Sequence, residues 1–65
     1  MDEIWTVEEL AQFLKMNRRQ IYTMTEARTR AKQKHPLPVL RINGNLRFSK
    51  TAVMEWLAKL QEGSV

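Results

Sequence analysis

Arg18, Arg19, Arg28, Arg30, Lys32, Lys34, Arg41, Arg47 and Lys50 all fall within residues 17–50, against the single anion Glu26, so this stretch carries a net charge of +8. Fixed cations at that density neutralise phosphates and displace counterions from a polyanion. The flanks have the opposite sign, −3 over residues 1–16 and −1 over residues 51–65, so the overall +4 conceals a basic middle. A charge run alone is equally consistent with a solvated basic surface. Other chemistry has little to work with. The chain has no cysteine and one histidine, His35, so neither a thiolate nor a paired-imidazole metal site can be assembled. The adjacent carboxylates Glu8 and Glu9 point about 100° apart on a helix, which suits capping and solubility rather than acid–base work. With no nucleophile–base set, metal site or phosphate loop, the sequence reads as a non-enzyme without a cofactor.

Sixty-five residues make one domain, with a core expected over about residues 5–62. A chain this short buries only about 60% of its unfolded surface and is stable by a narrow margin. It contains no apolar run near the roughly 20 residues of a membrane span. Met1-Asp2-Glu3 is acidic where a signal sequence would be basic. A cytoplasmic, nucleoid-associated protein is the expectation.

Three helices are announced by local signals. Thr6 and Glu9 form a capping box, and Trp5 and Leu10 a hydrophobic staple. Val7, Leu10, Ala11 and Leu14 then recur at helical spacing, with Phe13 widening the stripe. The second helix repeats this grammar, with Asn17 as cap, Gln20 as its partner and Met16–Ile21 as staple. Only Lys15 and Met16 separate the two units, the signature of a helix-turn-helix. Ile21 and Met24 should face the core, with Thr25 and Arg28 at its edge. Arg19, Tyr22, Thr23 and Glu26 share the opposite face, with Arg18 beside them. Arg18 and Arg19 oppose the helix dipole in the first turn, a local conflict that a DNA phosphate or base edge would resolve. Partial core packing is the other reading of Tyr22. No breaker appears from Thr25 to Lys34, so this helix is expected to run to Gln33. Arg28, Arg30, Lys32 and Lys34 near its end are explained equally by the dipole and by phosphate contact. His35-Pro36-Leu37-Pro38 ends it.

Asn43-Gly44-Asn45 lies between the apolar-alternating runs Val39–Ile42 and Leu46–Phe48. Asn-Gly tolerates the positive φ angles of a tight hairpin turn. With a three-residue tip, Leu40, Ile42, Leu46 and Phe48 form one face that covers the helices, and Arg41, Asn45 and Arg47 point outward. Ser49 should cap the third helix, with Phe48 and Val53 as staple and Val53, Trp56, Leu57 and Leu60 as stripe. Gly63 is a natural stop, with Ser64-Val65 frayed beyond it. The fold expected is mainly α with a β-hairpin: a winged helix-turn-helix of two helices, a wing and a third helix.

The ordered run WTVEELAQFLKMNRRQIY … LPVLRINGNLRFSKTAVMEWL, from Trp5 to Leu60, resembles the small excisionase and MerR-like winged-helix DNA-binding family. Two departures stand out: Asn17 caps the second helix where serine is usual, and the stretch between Tyr22 and Pro38 is several residues longer. The resemblance implies that the second helix enters the major groove and the wing touches the adjacent minor groove or its phosphates. It places Arg18, Arg19, Tyr22 and Thr23 at the groove and Asn45 and Arg47 on the wing; Asn17 and Glu26 complete the helix candidates and Arg41 the wing candidates. Arg28, Arg30, Lys32, Lys34 and Lys50 are the candidate phosphate contacts. It further implies double-stranded DNA as partner, an integrase or recombinase beside it, cooperative self-association on DNA, and a bacterial, phage or mobile-element origin. The leading expectation is an excisionase that bends attachment-site DNA and directs an integrase. A small transcription regulator is the second reading, and a protein-interaction module with a basic face is the reading of another class.

Overall fold

The computed structural model describes residues 2–62, so the stop expected at Gly63 and the end at Ser64-Val65 lie outside the described residues. Seven elements follow one another: β1 (Ile4–Trp5), α1 (Val7–Leu14), α2 (Arg18–Thr25), α3 (Ala27–Lys32), β2 (Leu40–Ile42), β3 (Asn45–Ser49) and α4 (Lys50–Glu62). The three strands make one antiparallel sheet in the order β1-β3-β2. The architecture is mainly helical with a small sheet, compatible with a winged helix-turn-helix.

Both capping boxes form. Thr6 Oγ1 accepts from Glu9 N at 3.2 Å while Thr6 N donates to Glu9 Oε1 at 2.9 Å. Asn17 Oδ1 accepts from Gln20 N at 2.8 Å, and Asn17 N donates to Gln20 Oε1 at 3.0 Å. Between them the chain reverses at Lys15, whose φ of 58° is left-handed. Met16 N donates to Ala11 O and Lys15 N to Gln12 O, which satisfies the orphan carbonyls of α1 in a Schellman arrangement. A side chain at positive φ is strained there. Lys15→Gly should therefore raise stability by about 0.5 kcal/mol, or roughly 2–4 °C in Tm, once its larger unfolded-state entropy is counted. A thermal melt that drops instead would place the strain elsewhere.

The long second helix is a correction. The chain is extended at Glu26, with φ −69° and ψ 141°, which ends α2 and starts α3. Thr25 Oγ1 donates to Tyr22 O at 2.8 Å, taking the carbonyl that the Glu26 N–H would have used, and that N–H turns to Thr23 O instead. A hydroxyl competing with the helix ladder opens the turn without glycine or proline. Arg28, expected at the core edge, is exposed on α3.

The core gathers Trp5, Val7, Leu10, Ala11, Ile21, Leu37, Phe48, Val53 and Trp56. Leu37 comes from the loop between two prolines and is fully buried. Trp56 Nε1 donates to His35 O at 2.7 Å, and the Arg30 guanidinium donates to Leu37 O, so this loop is tied from both sides. The Trp5 and Phe13 rings lie 4.7 Å apart. Leu60, expected in the buried stripe of the last helix, is exposed.

Ser49 caps α4 as expected, its Oγ accepting from Ala52 N at 3.2 Å. Asp2 joins it. Its carboxylate accepts from Ser49 Oγ, from Thr51 N at 3.0 Å and from Thr51 Oγ1 at 2.8 Å. These bonds, the Ser49 hydroxyl first, hold the Asp2 carboxyl below its ordinary value of 3.8. A carboxyl depressed in the folded state stabilises above its unfolded pKa, and that contribution is lost as pH falls through the folded pKa. Urea midpoints of the wild type should thus be level from pH 7 to 5 and fall below about pH 4. Asp2→Asn should show a shallower fall. Parallel curves for the two proteins would remove Asp2 from the acid transition.

Candidate nucleic-acid interface

The hairpin turn has positive φ at Asn43 (52°) and Gly44 (81°), the two-residue type I′ geometry that Asn-Gly favours. A Cβ on Gly44 would meet nothing within 4 Å, so only the backbone angle requires glycine there. The tip is two residues, not three, and this shifts the ladder by one. Leu40 pairs with Arg47, Arg41 with Leu46 and Ile42 with Asn45. Because side chains alternate, a one-residue shift exchanges the faces of a strand. The expected apolar face of Leu40, Ile42, Leu46 and Phe48 is therefore corrected. Leu46 and Phe48 pack inward, Leu40 and Ile42 share the outer face with Asn45 and Arg47, and Arg41 moves to the side of Leu46. Leu40 is 41% and Ile42 47% exposed, while Phe48 is fully buried.

On α2, Arg18, Arg19, Tyr22, Thr23 and Glu26 line one open groove together with the capping residue Asn17. Helical spacing brings the four from Arg19 to Glu26 onto one side, while Ile21 anchors the other side in the core. Tyr22 is 49% exposed, which answers the packing alternative: its ring is on the surface. Asn17 is engaged through Oδ1 in its cap.

A second cleft, of about 580 Å³, runs between the start of α1, the α2 surface and the wing. Arg18 and Tyr22 line both hollows, so the α2 face passes without interruption to Arg41, Asn45 and Arg47. The Arg47 guanidinium donates to Leu46 O at 2.7 Å and is half-buried.

Sequence reasoning missed Glu8 in this neighbourhood. Its Oε1 lies 3.0 Å from Arg18 Nη1. A negative charge in the first turn of α1 thus meets the positive charge in the first turn of α2, which relieves the dipole conflict of Arg18 from within. The pair is exposed on both sides and adds at most about 1 kcal/mol of stability. Arg19 has no ion-pair partner among the described residues. The five candidate phosphate contacts divide. Arg28, Lys32 and Lys34 are exposed. Arg30 is half-buried and bonded to Leu37 O, and Lys50 Nζ lies 3.6 Å from Glu3 Oε2.

Among the described residues no group of His, Cys, Asp and Glu could hold a metal ion, and no helix is long and apolar enough to cross a membrane. No curated protein and no solved structure matches the chain. A family model described as a helix-turn-helix domain matches residues 6–61, a span that includes both capped helices, the wing and nearly all of α4. Such domains place their second helix in the DNA major groove. By that match the chain belongs to the helix-turn-helix domain family.

Proposed function

We infer that this chain is an excisionase-like architectural protein. It reads duplex DNA with α2, grips the backbone with the wing and α3, and bends the site for a recombinase. The observation that carries the DNA-binding part is the continuity of the two hollows through Arg18 and Tyr22. One surface then offers base-reading side chains and cations spaced along it. Arg19, Tyr22 and Thr23 are the readers, Arg18 and Glu26 flank them, and Asn45 opens β3 next to the wing tip. Arg28, Lys32, Lys34, Arg41 and Arg47 meet phosphates, while Arg30 and Lys50 hold the loop and β1 in place. The excisionase role rests on the resemblance of the ordered motifs from Trp5 to Leu60. It is tested by adding the protein to an integrase encoded beside it and assaying excision of a substrate with both attachment sites. Stimulation of excision supports the role. Binding without any effect on recombination favours the transcription regulator.

Readers and grippers separate by mutation. Arg19→Ala should cost roughly 1–3 kcal/mol on a selected duplex and flatten its preference over a scrambled one, as loss of a base-edge contact does. Lys32→Ala should weaken both duplexes alike. Gel shifts on the two duplexes measure both. An equal proportional loss on both duplexes for the two variants would dismiss α2 as the reading element.

A further inference from the structure

The outer face of the wing carries an apolar pair that neither the core nor the α2 groove uses. Residues paired across an antiparallel ladder share a face, so Ile42 stands beside Asn45 and Leu40 beside Arg47. The cleft shared with Arg18 and Tyr22 is lined from both wing faces, by Asn45 and Arg47 from this one and by Arg41 and Leu46 from the other, and Leu40 and Ile42 lie outside it. Two aliphatic side chains, both more than 40% exposed, are thus on the wing face that carries two cleft residues. Ile42 directly precedes the Asn43–Gly44 tip, where no bulky side chain keeps a surface at a distance. Arg47 is the cation of this face, since Arg41 lies on the other face beside Leu46 and Lys50 is paired with Glu3. A cation beside two aliphatic side chains fits an occupant with phosphate-lined walls and apolar sugar surfaces. A DNA minor groove has phosphates along both edges and sugar faces between them, and its narrow form attracts arginine.

We propose that Ile42, backed by Leu40, is a minor-groove wedge that opens a base step and bends the duplex while Arg47 holds the groove wall. This rests on the DNA-binding reading above. An apolar side chain that partly unstacks one step and kinks the duplex, set beside a cation, is how architectural proteins deform DNA. Bending is thereby assigned to the wing and sequence reading to α2, so the two are separable by mutation.

The test uses the 65-residue chain and a 30-bp duplex obtained by enrichment from a random pool with the wild-type protein. One version carries a donor–acceptor pair at its ends, and another carries 2-aminopurine at successive steps. At saturating protein the wild type should raise end-to-end energy transfer and brighten 2-aminopurine at one step. Ile42→Ser should bind several-fold more weakly and, once saturated, lose both signals. Arg19→Ala should lose its preference for the enriched duplex over a scrambled one and, once saturated, keep both. Ile42→Thr, which retains β-branching, stands in if the serine variant melts early. A saturated Ile42→Ser complex with wild-type signals overturns the wedge, as does a wild-type complex with neither signal. So does a dimer in DNA-free sedimentation that Ile42→Ser turns into a monomer with the bend unchanged, since the face would then join two copies of the chain. Failure of the wild type to bind any duplex removes the DNA-binding reading itself, and the wedge with it.

Discussion

Phe48→Ala should leave the protein largely unfolded at 25 °C, whereas Leu40→Ala should melt like the wild type. Phe48 is fully buried in β3, paired with Trp5 across the sheet. Truncating a buried phenylalanine costs about 3–5 kcal/mol in lost transfer energy and residual cavity. At ~0.05–0.15 kcal/mol per residue, a domain this small holds total stability of the same order. Leu40 is an aliphatic residue of the same hairpin on the opposite face, and exposed truncations usually stay within about ±0.5 kcal/mol. The contrast also measures the register, because a three-residue tip would bury Leu40 beside Phe48 and make its loss cost about 2–5 kcal/mol. Urea melts followed by circular dichroism decide it. A large loss from Leu40→Ala would restore the longer tip.

Affinity for duplex DNA should fall about 500-fold between 50 and 200 mM monovalent salt. Five cations, Arg28, Lys32, Lys34, Arg41 and Arg47, are assigned to phosphates, and five neutralised phosphates give a log–log slope near −4.5. Each single alanine among them should flatten the slope by about 0.9. Arg30→Ala should behave differently. It releases the carbonyl of Leu37, so it should lower the melting point and leave the slope unchanged. Titrations at four salt concentrations measure this, and a slope near zero for the wild type would sink the electrostatic account of binding.

What the sequence revealed and what it hid divide by range along the chain. Both capping boxes and the Ser49 cap were legible because each is complete within four residues. The positive-φ turn at Asn43-Gly44 was legible for the same reason. The length of its tip was not, because Asn45 is equally suited to a turn and to a strand start, and only pairing decides. The break at Glu26 was hidden because its cause is a hydroxyl geometry at Thr25 rather than a breaker residue. Strand β1 was hidden because two residues carry no period, and Ile4-Trp5 become a strand only against Ser49 and Phe48. The residues grouped on the α2 face by helical spacing line one groove. Its junction with the wing, and the place of Glu8 beside Arg18, needed the third dimension.

The bonds of Asp2 to Ser49 and Thr51, with the short β1–β3 pairing beside them, join residues more than forty positions apart. Most of the remaining order is local: three capped helices and a hairpin closed by a two-residue turn. Closing a long loop costs more chain entropy than closing a turn, and its reward comes only after the intervening helices have docked. The two halves of this junction are held unequally: the Asp2 bonds are exposed, whereas Trp5 of β1 is buried in the core against Phe48. The junction lies at the start of α4 and along β3, the strand that carries Arg47. Opening of the Asp2 bonds alone would free Asp2 from the cap of α4 while Trp5, Phe48, Leu10 and Ile21 stay packed, so this end of the chain can loosen without disturbing α1 or α2.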